Sequence, residues 1–243
     1  MPNFALDEVM MVHDSISLAP VNTTKRRVVK TDGGILRPRQ QTTPIKLKRG
    51  IDYSSQRMLK CPERCHFHSL AELYNAALLE GDPGTEYFCP QPFLMYVNGK
   101  RYIPDMYALT NGQRYVQEIR AKGKISDRLR IPLEAYFHSR RMEYIVISND
   151  SVYAREIEAQ NWLSIVRHLL TRQTIDTDAA ESNLIKTLQT SENIALGDII
   201  DAGNRSATEL TELAAYRILY RGIARTDLET CFLSYDSEIE LCI

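Results

Sequence analysis

Between Tyr115 and Lys122 the chain reads YVQEIRAK, a strict alternation that predicts a strand with two distinct faces. Val116, Glu118, Arg120 and Lys122 share one face, and Tyr115, Gln117 and Ile119 share the other. A shorter β-type run, YIPDMYAL, precedes it, and Pro104 marks a strand edge or bulge because proline cannot donate to a ladder. Asn111-Gly112 separates the two runs and is a hairpin-turn signal. Pairing about that turn brings Asp105 and Glu118 together from neighbouring strands.

Upstream, the segment after Ser69 has helical character. Downstream, Ile125 to Arg141 carries a helical stripe of Leu129, Leu133, Tyr136 and Phe137, with Pro132 marking the first turn. Met142 to Ser148 is an apolar, β-branched run expected to form a buried strand, ended by Asn149-Asp150. Ala154 to Arg172 predicts an amphipathic helix that packs through Ile157, Trp162, Ile165, Val166, Leu169 and Leu170. Strand, strand, helix, strand, helix makes a small α/β core.

The polar, acidic stretch from Thr171 to Ser182 is the best domain boundary. Three helical patterns follow, at Ser182 to Leu188, Leu196 to Ala202 and Ala207 to Tyr220, the last closed by Gly222. Short strands are expected at Ile223 to Leu228 and Thr230 to Ser234. Three helices and a hairpin predict a winged helix-turn-helix. Its third helix opens Ala-Thr-Glu-Leu-Thr-Glu, and acidic residues at the reading end argue for protein docking over groove insertion.

Composition narrows the class. The chain has 243 residues and a formal charge of −1, with no apolar run near the ~18 residues that a membrane span needs. The first twenty residues include Asp7, Glu8 and Asp14 and do not read as a secretory signal. Five cysteines without framework spacing fit a reducing cytoplasm. The overall charge hides a local excess. Lys25, Arg26, Arg27, Lys30, Arg37, Arg39, Lys46, Lys48, Arg49, Arg57 and Lys60 face only Asp32 and Asp52, in a Gly- and Pro-bearing stretch expected to be an extended arm. Such an arm would hold phosphate without reading bases, or serve only as a solvated tail. Cys61, Cys65, His66 and His68 resemble a zinc knuckle, but the paired C-x₂-C spacing is missing. The alternative is free cysteines acting as small apolar residues beside exposed histidines.

Three carboxylates and a cation in order, Glu72, Asp105, Glu118 and Arg120, suggest a metal-dependent nuclease. Mg²⁺ takes a few carboxylate oxygens and otherwise keeps water, leaving room for phosphate and an attacking hydroxide. The cation offsets charge that builds on the phosphate. Ser69-Leu-Ala-Glu72 is equally a helix capping box, in which Glu72 has only a local structural role.

The arrangement resembles the PD-(D/E)xK restriction-endonuclease-like core, and more closely the TnsA endonuclease subunit of heteromeric transposases. The similar features are Arg49-Gly50, Ser55, Ser69-Leu-Ala-Glu72, Gly81-Asp82-Pro83, Gln91-Pro92, Tyr102-Ile-Pro-Asp105 and Gln117-Glu118-Ile-Arg120, spanning roughly a third of the chain. The family's motif lysine is Arg120 here. The resemblance implies a mixed-sheet nuclease core over 49–172, preceded by the arm at 1–48 and followed by a linker at 173–181 and a winged helix at 182–243. It implies Mg²⁺, or Mn²⁺, held by Glu72, Asp105 and Glu118, with Arg120 orienting water or phosphate. Lys25, Arg26, Arg27, Arg37, Arg39, Lys46, Lys48, Arg49 and Lys122 would contact double-stranded DNA. A TnsB-like DDE transposase and a TnsC-like AAA ATPase regulator would be partners in cutting the 5′ strands at transposon ends. The rival readings are a weak or inactive assembly subunit of the same complex and a stand-alone restriction or junction-resolving nuclease.

Overall fold

A computed structural model describes residues 28–31, 36–48, 52–191 and 193–242. It is a mixed α/β structure with several small sheets. Among the described residues no helix is long and apolar enough to cross a membrane.

Four strands form the central sheet: β4 (Thr85–Pro90), β7 (Met106–Thr110), β8 (Gln113–Arg120) and β9 (Met142–Ser148), in the order β4-β7-β8-β9. β7 and β8 form the expected hairpin, with Thr110 opposite Gln113. The two turn residues, Asn111 and Gly112, have φ of 51° and 72°. That left-handed pair matches the twist of the strands, which is why an Asn-Gly dipeptide closes the hairpin. β9 pairs parallel to β8, as it must when helix α3 (Asp127–His138) intervenes. The alternation in β8 is realised. Val116 packs with Leu133, Phe137 and Tyr144 on one face, while Ile119 packs with Ala71, Tyr74 and Trp162 on the other.

Two helices cover the second face, α2 (Leu70–Gly81) and α5 (Glu156–Thr171). They approach closely at Gly81, where an added Cβ would lie 2.1 Å from the Trp162 indole nitrogen. The first face carries α3 and a three-stranded antiparallel sheet of β1 (Val29–Thr31), β5 (Met95–Val97) and β6 (Lys100–Tyr102). A two-stranded ribbon, β2 (Ser54–Gln56) with β3 (Cys65–Phe67), leads into α2, and a single turn, α1 (Ile45–Lys48), precedes it.

Several expectations are corrected. The arm is not simply extended: Val29 is buried in the core, β1 adds to β5, and Arg39 and Gln41 donate backbone hydrogen bonds to Pro92 and Gln91. Pro132 lies inside α3 rather than in its first turn. Its missing N–H leaves the Arg128 carbonyl without a helical partner, and Asn98 donates to that oxygen at 3.1 Å. The helix expected from Ala154 to Arg172 is present as α5, and a short additional helix, α4 (Asn149–Tyr153), precedes it where only the end of the strand was expected. Ser148 starts α4 directly at the end of β9 by capping the Ser151 amide.

In the last quarter, α6 spans Asp178–Thr190, α7 only Leu196–Ile199, and α8 Glu209–Tyr220. Gly222, at φ 66°, ends α8 with bonds from Ile223 to Ile218 and from Gly222 to Leu219, a Schellman closure. Three short strands pair in the order β10-β12-β11: β10 (Ile194–Ala195), β11 (Ala224–Arg225) and β12 (Glu238–Leu241). The strand expected at Thr230 to Ser234 is irregular, because Asp227 folds that segment back by accepting from the Glu229 and Thr230 amides. Most of this segment packs on itself around Leu184, Leu188, Ile218 and Ile239, while Leu213 and Leu228 join the core of α2 and α5.

Candidate active site

Glu72 sits in the first turn of α2. Ser69 caps the helix by accepting from the Glu72 amide, and Glu72 Oε2 accepts in return from the His68 amide at 3.0 Å. The capping role is therefore real, though the backbone donor is the His68 amide rather than that of Ser69, whose hydroxyl donates to Glu72 Oε1 at 3.1 Å. It coexists with a position beside Asp105. Glu72 Oε2 also accepts from Gln91 Nε2 at 2.8 Å, and its pKa is raised above the usual carboxylate range by burial.

Asp105 lies between β6 and β7, one residue after the buried Pro104. Its Oδ2 accepts from the Ile119 amide of β8 at 2.7 Å, so Asp105 reaches β8 through the backbone of the residue after Glu118, while the Glu118 carboxylate turns to Tyr102 and Arg120. The carboxyl keeps partial solvent access but is crowded by protein. Burial and then the Glu72 charge push it up to about 6, against smaller pulls from the Ile119 amide, Arg120 and His68.

Glu118 is fully buried. Tyr102 donates to its Oε2, and the Tyr102 and Tyr144 hydroxyls share a hydrogen bond of 2.9 Å. Oε1 makes an ion-pair contact with the Arg120 guanidinium but lies outside hydrogen-bond geometry. Arg120 is 46% exposed, so its far side remains open to solvent. Lys122 does not share its strand face. β8 ends at Arg120, and Lys122 stands exposed in the following turn.

The cysteine–histidine cluster is dispersed. Cys61 and Cys65 are buried with Met58, Phe67 and Phe88, as small apolar residues are. The histidines are not exposed as expected: His66 Nδ1 meets Tyr53 at 2.7 Å, and His68 Nε2 meets the buried Thr43 at 3.1 Å. Among the described residues, no three His, Cys, Asp or Glu side chains converge closely enough to hold an ion as they stand.

The donor chemistry nonetheless suits a hard divalent cation. Asp105 and Glu72 are two partly desolvated carboxylates that repel each other, a repulsion that bound Mg²⁺ would relieve. Arg37, Arg39 and Lys46 are exposed, whereas Lys25, Arg26, Arg27, Arg49 and the side chain of Lys48 lie outside the described residues. Sequence reasoning did not assign roles to Gln91, Tyr102 and Tyr144. The Gln-Pro and Tyr-Ile-Pro-Asp motifs that contain Gln91 and Tyr102 were the available signal, and Tyr144 had none. Set against known proteins, the chain matches no family model and no curated sequence.

Proposed function

We propose that this chain is a Mg²⁺-dependent DNA endonuclease subunit of a heteromeric transposase, with a restriction-endonuclease-like core. The observation that carries the reading is the approach of Asp105 to β8, beside Glu72, on a sheet whose next residues are Glu118 and Arg120. Glu72 and Asp105 would hold the ion, with Glu118 joining them on release from Tyr102 and Arg120, and the ion would supply an activated water and a Lewis acid for the scissile phosphate. Asp105 would contribute a carboxylate pushed up by burial and by the Glu72 charge, which a bound cation would favour in its ionised form. Arg120 contributes a permanent positive charge with donors on its exposed side, suited to clamping a phosphate oxygen. The substrate is double-stranded DNA at transposon ends, cut on the 5′ strand, while a TnsB-like transposase cuts the other.

The last quarter supports a winged-helix reading through its order of helix, strand, helix, helix, strand, strand. Its third helix, α8, uses its polar residues internally. Glu212 is buried and paired with Arg205, Glu209 pairs with Arg172, and Arg217 donates to the Arg172 and Ile175 carbonyls. That favours docking onto a TnsC-like ATPase over reading a DNA groove.

A second reading, an assembly subunit with a weak or silent centre, is favoured by one observation: protein groups already engage both Glu118 oxygens. Strand-specific nicking of end DNA with the partner transposase and Mg²⁺ decides between them. Cleavage by the natural chain and its loss in Asp105→Ala support the nuclease. Complex assembly without cleavage supports the second reading.

A further inference from the structure

Gln91 stands where three segments cross. It is buried, and its backbone is left-handed at φ 43°, a conformation that glutamine rarely adopts. Its amide donates to the Asp105 carbonyl at 2.9 Å, and its own carbonyl accepts from the Gln41 amide at 3.0 Å. Its side-chain nitrogen donates to Glu72 Oε2 at 2.8 Å, and that orientation is set because a carboxylate can only accept. One residue thus ties the side chain of Glu72 to the backbone of Asp105, although the two carboxylates belong to a helix and a loop with no direct bond between them.

A strained, buried polar residue persists only where its surroundings hold it there, and such outliers cluster at functional sites. We infer that Gln91 is a positioning residue that orients the Glu72 carboxylate toward Asp105 for divalent-cation binding. This rests on the nuclease reading above. Left-handed backbone recurs at Asn98 and Arg141, outside the candidate site, so the bond from Gln91 to Glu72 is the observation that carries the inference. A methionine of similar length would fill its volume equally well.

Mn²⁺ alone, titrated calorimetrically into the full chain, tests this. Groups that orient a metal ligand typically cost 10–100-fold in affinity when removed. Gln91→Met, which keeps the volume and loses the donor, is expected to weaken Mn²⁺ binding at least about tenfold. Gln91→Gly loses the same amide but relieves the backbone, and is expected to weaken binding by a similar factor. That outcome assigns the effect to the side-chain bond rather than to strain. Mn²⁺ binding as tight as wild type in both variants would overturn the positioning role while leaving the nuclease reading standing. Failure of the wild-type chain to bind Mn²⁺ would overturn the metal reading itself, and the inference with it.

Discussion

Asp105→Asn should make the protein more stable at neutral and alkaline pH. The carboxyl is held at about 6 rather than its ordinary 3.8, chiefly by burial and then by Glu72. Between those values the folded chain binds more protons than the unfolded one, so this group lowers stability as pH rises and costs its full amount above about 6. At about 1.4 kcal/mol per pKa unit, the penalty is at most about 3 kcal/mol. Asparagine removes the charge, and its side-chain oxygen can still accept from the Ile119 amide. In a chain of this size each kcal/mol moves the melting temperature by roughly 2–4 °C. Calorimetry in a metal chelator at about pH 8 should show the gain, which should vanish at about pH 3.5. A variant that melts lower than wild type at pH 8, or gains equally at both pH values, would refute the argument. Adding Mn²⁺ should stabilise the wild type and leave the variant unmoved, since a ligand stabilises only the form that binds it.

Other perturbations test separate parts of the structure. Removing Arg120 as Arg120→Ala leaves the buried Glu118 without its cation and should cost about 1–3 kcal/mol in urea unfolding. Arg120→Lys should keep single-turnover nicking near wild type if the cation only clamps phosphate, and raise it if a compact ammonium is needed. Gly81→Ala should cost about 1–3 kcal/mol, read by the same unfolding assay, because the new methyl enters the Trp162 ring. Deleting residues 1–27 should weaken DNA binding alike on all sequences and flatten its salt dependence; an unchanged slope would reduce that part of the arm to a tail.

What could be read in the sequence was set by local physics. The β7–β8 hairpin, the two faces of β8 and the Schellman end of α8 each follow from a few adjacent residues with a single good conformation. The apolar stripe of α3 was legible for the same reason. Pro132 was misplaced because its cost is met by Asn98, which lies 30 residues from Arg128 in sequence. β4 was missed: its core contacts come from sheet neighbours, and it lies between Gly-Pro turn signals that obscure its period. At the site, motif spacing singled out Glu72, Asp105, Glu118 and Arg120, and the structure brings Glu72 to Asp105 and Arg120 to Glu118. The tie through Gln91 could not, because it depends on a side chain reaching 19 residues back. The arm's packing was hidden similarly, since β1 finds its partner only once β5 exists.

Glu80 gives the fold a temporal consequence. It is fully buried at the end of α2, accepting from the Lys60 amide and from the Tyr220 hydroxyl, 140 residues further along the chain. A chain made from its N-terminus therefore carries a carboxyl destined for the interior long before its last partner exists. Until Tyr220 leaves the ribosome, the helix that holds Glu72 would have to keep that acid wet or protonated at its far end. Completion of the far end of α2 is thus linked to synthesis of the chain through Tyr220. A product truncated before Tyr220 would contain every residue of the candidate site yet have an unfinished support for it, and it would be a ready target for proteolysis.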